Sequence, residues 1–425
     1  MNEKILEQLD YNRIRNEIAS FCVSEEGRNS VLAAVPLNEQ EKIEKLKKIS
    51  SEWTYLCKYT RGVRILPWNC IDDALKILAV SGSQLSVEQT FFLSQFCQSV
   101  GNLKSSFTEE SDYEKSCPAI FEQVNSMYDL SEAKQKIDFL IDKNGEIKEV
   151  PEIRSIKKEI RSKQNEIESI MKSYTTSSEF QDCLQSSLPV LRSGRQVLAV
   201  KSGSKNRIKG IVHEVSQTGS TLYIEPNEIV QLSNEVLELD SELIRQIKIL
   251  LQNLTKELSQ YIDEIRHNQY VMSLLDYCFA SSLWGIENKC CFANDICSSD
   301  GDDDENIKLI HARHPVLAEK SVPIDVVLKK STRVLIISGA NTGGKTVTVK
   351  TIALFVLLNQ SGFPLPCEEA SLPVFSDIFA DIGDEQSMDE NLSTFSSHMK
   401  NVAIALENAD ENSLVLLDEL GSGTD

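Results

Sequence analysis

Apolar residues recur at intervals of three and four positions through about the first 130 residues, which is the spacing of one face of a helix. Ile14 and Ile18 are examples. The pattern predicts a helical core domain over residues 1–148. Near its end, the segment KIDFLIDKNGEIKEV predicts a hairpin, because Asn144-Gly145 supplies the positive φ angles that a tight turn needs.

Two longer apolar stripes follow this region. The first starts at Ile153 and has isoleucines three, four and seven positions apart, with charged residues between them. The second starts at Ile229 and covers about five heptads, or roughly 55 Å of helix. We expect an ascending lever helix over 149–184, and a descending lever helix with further core over 229–290, packed antiparallel. The alternative is an ordinary helical hairpin within a bundle.

Three short runs of strand-forming residues lie between the two stripes. They are Val197–Val200, Ile208–Val215 and Thr221–Ile224, and Gly and Ser turns separate them. They predict a small antiparallel sheet over 185–228, which we call the clamp. A sheet at the tip of a long helical pair projects outward, so we expect it to reach a bulky partner.

The charge pattern reverses sharply in the clamp. The whole chain carries a net charge of −20, yet Leu184 to His213 contains six cations and no Asp or Glu. Such a patch favours contact with phosphates, and the absence of interleaved aromatic residues favours sequence-independent binding. The alternative is a solvated basic loop. The predicted nucleic-acid contacts are Arg192, Arg195, Lys201, Lys205, Arg207 and Lys209.

A glycine-rich turn between a predicted buried parallel strand, Arg333–Ser338, and a predicted helix has the pattern GxxxxGK[ST]. Backbone N–H groups of such a turn wrap the phosphates of ATP, and the helix N-terminus adds positive potential. Lys345 would reach the β and γ oxygens, and the Thr346 hydroxyl would bind Mg²⁺. The predicted nucleotide contacts of this phosphate loop are Gly339, Ala340, Asn341, Thr342, Gly343, Gly344, Lys345 and Thr346.

An apolar run, Leu414–Leu417, ends in two carboxylates and predicts the second half of the same site. Asp418 suits the Mg²⁺ shell, and Glu419 suits a base that orients the attacking water. Gln386 is a candidate sensor of the γ-phosphate. Ser393 and Thr394 are predicted on a loop that opens a helix and reaches the nucleotide of a partner subunit.

These segments resemble a known family. ANTGGKTVTVKTIAL, DIGDEQSMDENLSTFSSHM and LVLLDELGSGTD resemble the ATPase domain of MutS-type proteins. LRSGRQVLAVKSG and IKGIVHEVSQTGSTLYIEP resemble the clamp of the bacterial endonuclease MutS-two family. The resemblance implies an ABC-type ATPase that uses ATP and Mg²⁺ and forms a homodimer. It also implies lever helices and clamps that embrace branched DNA, with some members acting on stalled ribosomes through rRNA.

The same resemblance places His314, within Arg313-His314-Pro315, near the adenine of the nucleotide. Another interpretation takes His311 and His314 as a metal-binding pair, but Pro315 disfavours helix at His314 and so disfavours that spacing. Ala340 stands where the family usually has proline, at a position that contributes its backbone.

Taken together, the patterns predict a multidomain, mainly α protein with α/β parts, ending in an incomplete P-loop ATPase domain over 291–425. Because the family continues into an Smr-type nuclease domain, we expect an N-terminal fragment of a cytoplasmic ATPase and endonuclease. No apolar run is long enough to span a bilayer, and the 11 cysteines suit reduced thiols. The alternatives are a mismatch-repair sensor, for which an N-terminal sensor domain is missing, and a non-catalytic binding fragment.

Overall fold

The computed structural model describes residues 3–60, 63–108, 112–294, 305–339, 344–382 and 391–418. The chain divides into two compact units, the first made of residues 1–72, 92–132 and 263–425 and the second of residues 73–91 and 133–262. Helices dominate and the sheets are small, which confirms the predicted mainly α fold. No helix within the described ranges combines the length and the apolarity needed to cross a membrane.

Helices make up most of the first 140 residues, as the apolar spacing predicts. Ile14 and Ile18 are fully buried. Trp53 packs edge-to-face on Phe279, with ring centroids 5.1 Å apart. The helices of this region are α1 (Glu3–Gln8), α2 (Tyr11–Ala19), α3 (Glu25–Leu32), α4 (Gln40–Tyr59), α5 (Asp72–Leu78), α6 (Val87–Ser106), α7 (Tyr113–Ser116), α8 (Pro118–Ser126) and α9 (Ser131–Leu140).

The predicted hairpin around Asn144-Gly145 is only partly correct. The turn forms, with Gly145 at a φ of 83°, and one bridge pairs Ile141 with Ile147. The residues before it belong to α9 rather than to a strand. Ala133, Ile137 and Leu140 are buried on one face of that helix. A helix buries these apolar residues together, and the first strand of the predicted hairpin therefore does not form.

A buried carboxylate holds the start of α3. Asp276, in α13 (Ile262–Glu287), is fully buried and accepts hydrogen bonds from the Val23 N–H at 3.0 Å, the Ser24 N–H at 3.0 Å and the Ser24 hydroxyl at 2.6 Å. Ser24 caps α3, because its Oγ accepts from the Gly27 N–H at 2.9 Å. Gly27 permits this close approach, since a Cβ there would lie 2.1 Å from Asp276 Oδ2.

The second unit contains α10 (Pro151–Thr176), α11 (Ser178–Gln181) and α12 (Asn227–Leu258). Contacts that lie later in the sequence of α10 involve residues that lie earlier in the sequence of α12. Lys163 lies 2.6 Å from the Glu235 carboxylate, while Ile167, further along α10, shares a buried cluster with Ile229 at the start of α12. The two apolar stripes therefore pair antiparallel, and the 32 residues of α12 correspond to about 48 Å of helix.

The second stripe is not one continuous helix, in contrast to the prediction. The helix α12 ends at Leu258, and a 3₁₀ turn covers Ser259–Tyr261 before α13 begins. The Ser259 hydroxyl donates to the Lys256 carbonyl at 2.8 Å. The heptad pattern alone therefore overestimates the length of this helix.

The clamp is a four-stranded antiparallel sheet in the order β1-β2-β4-β3. Leu198 of β2 pairs with Ile224 of β4, and both are buried over the ends of α10 and α12. The three predicted strands form with small changes of boundary, and the short first strand is additional. The strands are β1 (Val190–Arg192), β2 (Arg195–Lys201), β3 (Gly210–Val215) and β4 (Thr221–Pro226).

Residues 305–418 contain two further sheets. One is three-stranded and antiparallel, in the order β6-β5-β7, and the other pairs β8 with β9 in parallel. Ala353 to Leu358, in the helix between β6 and β7 along the chain, are completely buried. The elements are β5 (Glu305–Ala312), β6 (Ile324–Lys329), α14 (Lys345–Gln360), β7 (Glu369–Ser371), β8 (Ile378–Asp381), α15 (Asn391–Asn408) and β9 (Leu414–Leu417).

The predicted buried strand Arg333–Ser338 does not form. The segment has no ladder partner among the described residues, and the side chains of Val334 and Ile336 are 74% and 83% exposed. An apolar run becomes a strand when neighbouring strands cover it and accept its backbone hydrogen bonds. In the described sheet of this region, β8 pairs with β9 alone, so that condition is not met.

Candidate nucleotide and nucleic-acid sites

The described part of the phosphate loop has the geometry of a helix start. Lys345 is the first residue of α14, and Gly344 precedes it as the N-cap in the left-handed conformation, at a φ of 77°. Glycine adopts this conformation without steric cost. The Gly344 carbonyl accepts the Thr348 N–H at 2.9 Å, which closes the first turn. The predicted contacts Ala340, Asn341, Thr342 and Gly343 lie outside the described residues.

The structure brings together two predicted site residues that are far apart in the chain. The Thr346 hydroxyl donates to Asp418 Oδ2 at 2.5 Å. Thr346 stands in the first turn of α14, and Asp418 directly follows β9, where its N–H donates to the Asp381 carbonyl at 3.0 Å. A hydroxyl and a carboxylate oxygen are the hard ligands that Mg²⁺ prefers, so this pair fits the cation that the sequence predicts.

Four further predicted residues lie wholly or partly outside the described part of the chain. Glu419 and Gln386 lie outside the described residues. Ser393 and Thr394 fall within the first turn of α15 rather than on a loop before it, and their side chains lie outside the described part. Further along α15, the Asn401 amide donates to Asp381 Oδ1 at 2.9 Å, which joins this helix to the end of β8 beside Asp418.

His314 is buried, with 4% of its surface exposed, and neither ring nitrogen has a hydrogen-bond partner within the described part of the chain. Burial lowers the pKa of His314, although Asp10, whose Oδ2 lies 3.9 Å from Nε2, acts in the opposite direction. The positive charge of Lys350, in α14, also lowers this pKa, so a charge on the helix that follows the phosphate loop acts on His314. A neutral ring suits the predicted position near a base.

The alternative of a metal site at His311 and His314 is disfavoured by their surroundings. His311 is about half exposed and lies 3.4 Å from the Glu368 carboxylate. His314 is buried and faces Asp10 instead. Since the two rings have different neighbours, the structure gives no shared site for an ion at this pair.

Arg195 is held inside the clamp rather than presented at its surface. Its Nη1 lies 3.0 Å from both carboxylate oxygens of Glu225, and its Nη2 donates to Asn234 of α12. His213 Nε2 lies 2.7 Å from the same carboxylate. Burial raises the pKa of Glu225, but hydrogen bonds from Ser233, His213 and Arg195 outweigh it and hold the pKa below its usual value.

The other predicted cations differ in whether they form an ion pair. Arg192 pairs with Glu214 at 2.9 Å, and its guanidinium lies 4.6 Å from the centre of the Tyr223 ring. Arg207 donates to a backbone carbonyl, that of Glu179, and Lys201 donates to that of Asp182. These two side chains are exposed, as are Lys205 and Lys209, and among the described residues none of the four has an ion pair. The exposed positive charge therefore centres on Lys201, Lys205, Arg207 and Lys209.

Sequence reasoning did not find the residues that anchor these sites. Glu225 and His213 fix Arg195, and Asp381 and Asn401 connect β8 to α15. One signal was present for Glu225, which is a lone acid at the end of the apolar run TLYIEP. An acid within a buried strand requires a basic partner, and Arg195 supplies it.

Comparison with known proteins identifies the family. Residues 335–425 match the family model MutS domain V. The whole chain is 35% identical to Endonuclease MutS2 of Lactococcus lactis subsp. cremoris strain MG1363 over 429 residues, and 33% identical to Endonuclease MutS2 of Alkaliphilus oremlandii over 431. The chain spans 54% and 53% of those two proteins.

The fold and these matches define a MutS-type protein. Over its whole length the chain is similar to the endonuclease MutS2 proteins, the branch that its clamp and phosphate-loop segments resemble.

Proposed function

We propose that this chain is the nucleotide-binding and clamp-bearing part of an ATP-dependent nucleic-acid clamp. ATP binds at the phosphate loop as its Mg²⁺ complex, and the clamp contacts the phosphate backbone of branched DNA. The observation that carries the proposal is the hydrogen bond between Thr346 and Asp418, which joins the two halves of the predicted site across 72 positions of sequence. The name of the relatives supports the further proposal that the whole protein has endonuclease activity.

Each site residue has a distinct role in the proposed hydrolysis. Lys345 binds the β and γ oxygens and withdraws charge from the bond that breaks. Thr346 and Asp418 would hold Mg²⁺, which supplies neutralisation of the phosphate charge when bound. Glu419 orients and deprotonates the attacking water, and Gln386 contacts the γ-phosphate.

A composite site explains the remaining predicted residues. Ser393 and Thr394, at the start of α15, would reach the nucleotide bound by the second subunit of a homodimer. His314 would lie near the adenine of its own subunit. We propose that binding of ATP across the dimer closes the clamp, and that hydrolysis releases it in the cytoplasm.

The charge distribution of the clamp supports sequence-independent binding. Arg195 is neutralised by Glu225, and Arg192 is paired with Glu214. Four exposed cations remain, which predicts a slope of log affinity against log salt of roughly −4 rather than the roughly −5 of six contacts. Branched DNA is the partner we propose, and binding to rRNA of stalled ribosomes is the alternative outcome of the test below.

A mismatch-repair sensor is disfavoured by one contact. The sensor function needs an exposed Phe-x-Glu wedge, and Phe107-Thr108-Glu109 matches that pattern. Phe107 is 3% exposed and packs against Tyr113, with ring centroids 5.1 Å apart. A phenylalanine inside a helical core cannot enter a base stack, so the match does not support a sensor.

The clamp is tested by removing three of its exposed charges. The triple variant Lys205→Gln, Arg207→Gln and Lys209→Gln is expected to bind a four-way DNA junction about 100-fold more weakly near 0.15 M salt, with the salt slope reduced in magnitude by about three. Fluorescence anisotropy at several salt concentrations measures both quantities. Purified ribosomes, titrated in parallel, distinguish rRNA from DNA as the partner.

The matched control removes three exposed lysines elsewhere. Lys42, Lys45 and Lys48 lie on the surface of α4, and their change to glutamine alters the net charge equally. This control variant is expected to keep the salt slope of the unmodified chain. Equal losses in the two variants would mean that total charge, rather than the clamp, governs binding, and the proposed role of the clamp would be abandoned.

A further inference from the structure

Two cysteines from distant parts of the sequence lie side by side in the first unit. The sulfur atoms of Cys291 and Cys367 are 3.5 Å apart, within contact distance of two thiols. Cys367 is 4% exposed, and Cys291 is only partly buried. Cys291 is therefore the more accessible cysteine of the pair.

The backbone holds the two thiols in this position. Cys291 and Leu365 form an isolated antiparallel bridge, with the Cys291 N–H donating to the Leu365 carbonyl at 2.9 Å and the reverse bond at 2.7 Å. Cys367 lies two positions beyond Leu365 in a tight turn, in which the Cys367 N–H donates to the Leu365 carbonyl at 2.8 Å, so the turn keeps Cys367 beside the bridge. The pairing follows from the fold rather than from a chance rotamer.

Other cysteines have different partners. The Cys183 thiol donates to the Phe180 carbonyl at 2.9 Å, and the fully buried Cys278 thiol lies 3.8 Å from the Leu46 carbonyl. Cys290 is adjacent in sequence to Cys291, yet burial raises its pKa well above the usual value. By contrast, the hydrogen bond from Cys367 lowers the pKa of Cys291, which favours the nucleophilic thiolate there.

We propose that Cys291 and Cys367 are a site of reversible disulfide formation, with a peroxide as the oxidant. The Cys291 thiolate attacks one peroxide oxygen, and the O–O bond breaks. Hydroxide departs, and Cys291 becomes a sulfenic acid. The Cys367 sulfur then attacks that sulfur and forms the S–S bond. The hydroxide that departs from the sulfenic acid takes the proton of the Cys367 thiol and leaves as water. In total, two thiols lose two electrons and hydrogen peroxide becomes two water molecules.

The crosslink would join the segment after α13 to the segment between α14 and β7. Neighbouring backbone bonds already tie the second segment to β5 and to the residues that follow it. The Glu368 N–H donates to the Ile310 carbonyl, and the Arg313 N–H to the Pro366 carbonyl, both at 3.0 Å. The disulfide would close a loop of 76 positions and restrict the unfolded chain, so oxidation is expected to raise the Tm.

The test is oxidation of the intact chain by hydrogen peroxide, followed by alkylation of free thiols and tryptic mass spectrometry. The expected product is a crosslink between the peptide 290–308 and the peptide 351–400, whose one cysteine is Cys367. Fragment ions that separate Cys290 from Cys291 locate the bond in the unmodified chain. The thiol count should fall by two per chain, and dithiothreitol should restore both the thiols and the original Tm.

Two serine variants provide the matched control. Cys290→Ser should still form the crosslink, whereas Cys291→Ser should not. A crosslink that places Cys290 or Cys297 on Cys367, or a chain that loses thiols without this crosslink, overturns the assignment. Because the fragment ions are read on the unmodified chain, the result stands even where a variant folds poorly.

Discussion

Replacing Lys345 with alanine is expected to weaken ATP binding about 100-fold, equivalent to about 2.7 kcal/mol. Lys345 starts α14 directly after the left-handed Gly344, at the helix end where backbone N–H groups point toward an anion. The variant loses a charged hydrogen bond to the phosphates and keeps the rest of the loop. Isothermal titration with a non-hydrolysable ATP analogue and Mg²⁺ measures the change.

The control for this variant is Lys330→Ala, which removes the same charge from an exposed position before the phosphate loop. It is expected to leave the affinity within twofold of the original. If Lys345→Ala binds the analogue as tightly as the unmodified chain, and both unfold at the same temperature, the nucleotide site lies elsewhere. The proposed function would then lose its foundation.

The second large effect concerns stability. Changing Asp276 to alanine is expected to lower the free energy of unfolding by about 3 kcal/mol. The change removes the acceptor of three hydrogen bonds from Val23 and Ser24 and leaves the two donors of Ser24 buried. It also frees the Ser24 cap of α3. Chemical denaturation monitored by circular dichroism measures the loss, and a change below about 1 kcal/mol would contradict the role assigned to Asp276.

The same residue predicts a pH dependence. Burial raises the pKa of Asp276 from 3.8 to about 6, in opposition to its hydrogen bonds from Ser24 and Val23. Because the folded state binds the proton more tightly, its contribution to stability is complete below the unfolded pKa and is lost as pH rises through about 6. Between pH 5 and 7 the loss is on the order of 1 kcal/mol. Asp276→Asn should abolish this component.

Local sequence was sufficient to predict the elements that depend on local patterns. The helix after the phosphate loop, the strand Leu414–Leu417 and the three main clamp strands follow from apolar spacing and turn residues. The sequence predicts Thr346 and Asp418 as ligands of one Mg²⁺ ion, and the structure brings their side chains within hydrogen-bond distance, while their role as ligands stays a prediction.

Features that depend on tertiary partners could not be predicted. The sequence pattern predicts Arg195 to be a free cation. Its partner Glu225 lies 30 positions away in the sequence, and the pairing of β2 with β4 brings the two side chains together. Arg333–Ser338 reads as a buried strand, although strand formation depends on neighbours that the segment itself does not encode. The Cys291–Cys367 pair likewise needs the bridge to Leu365, which no spacing of cysteines reveals.

The exposed run after β6 has a practical consequence for handling the chain. Val334, Leu335 and Ile336 are 74%, 46% and 83% exposed, and they form an apolar, uncharged segment without a partner strand among the described residues. Such segments nucleate intermolecular β-aggregation. Three cations lie just before these residues, namely Lys329, Lys330 and Arg333. Their charges repel the same charges on another chain and so oppose aggregation through this segment. High salt weakens that repulsion, so dilute, low-salt buffers keep the protein dispersed.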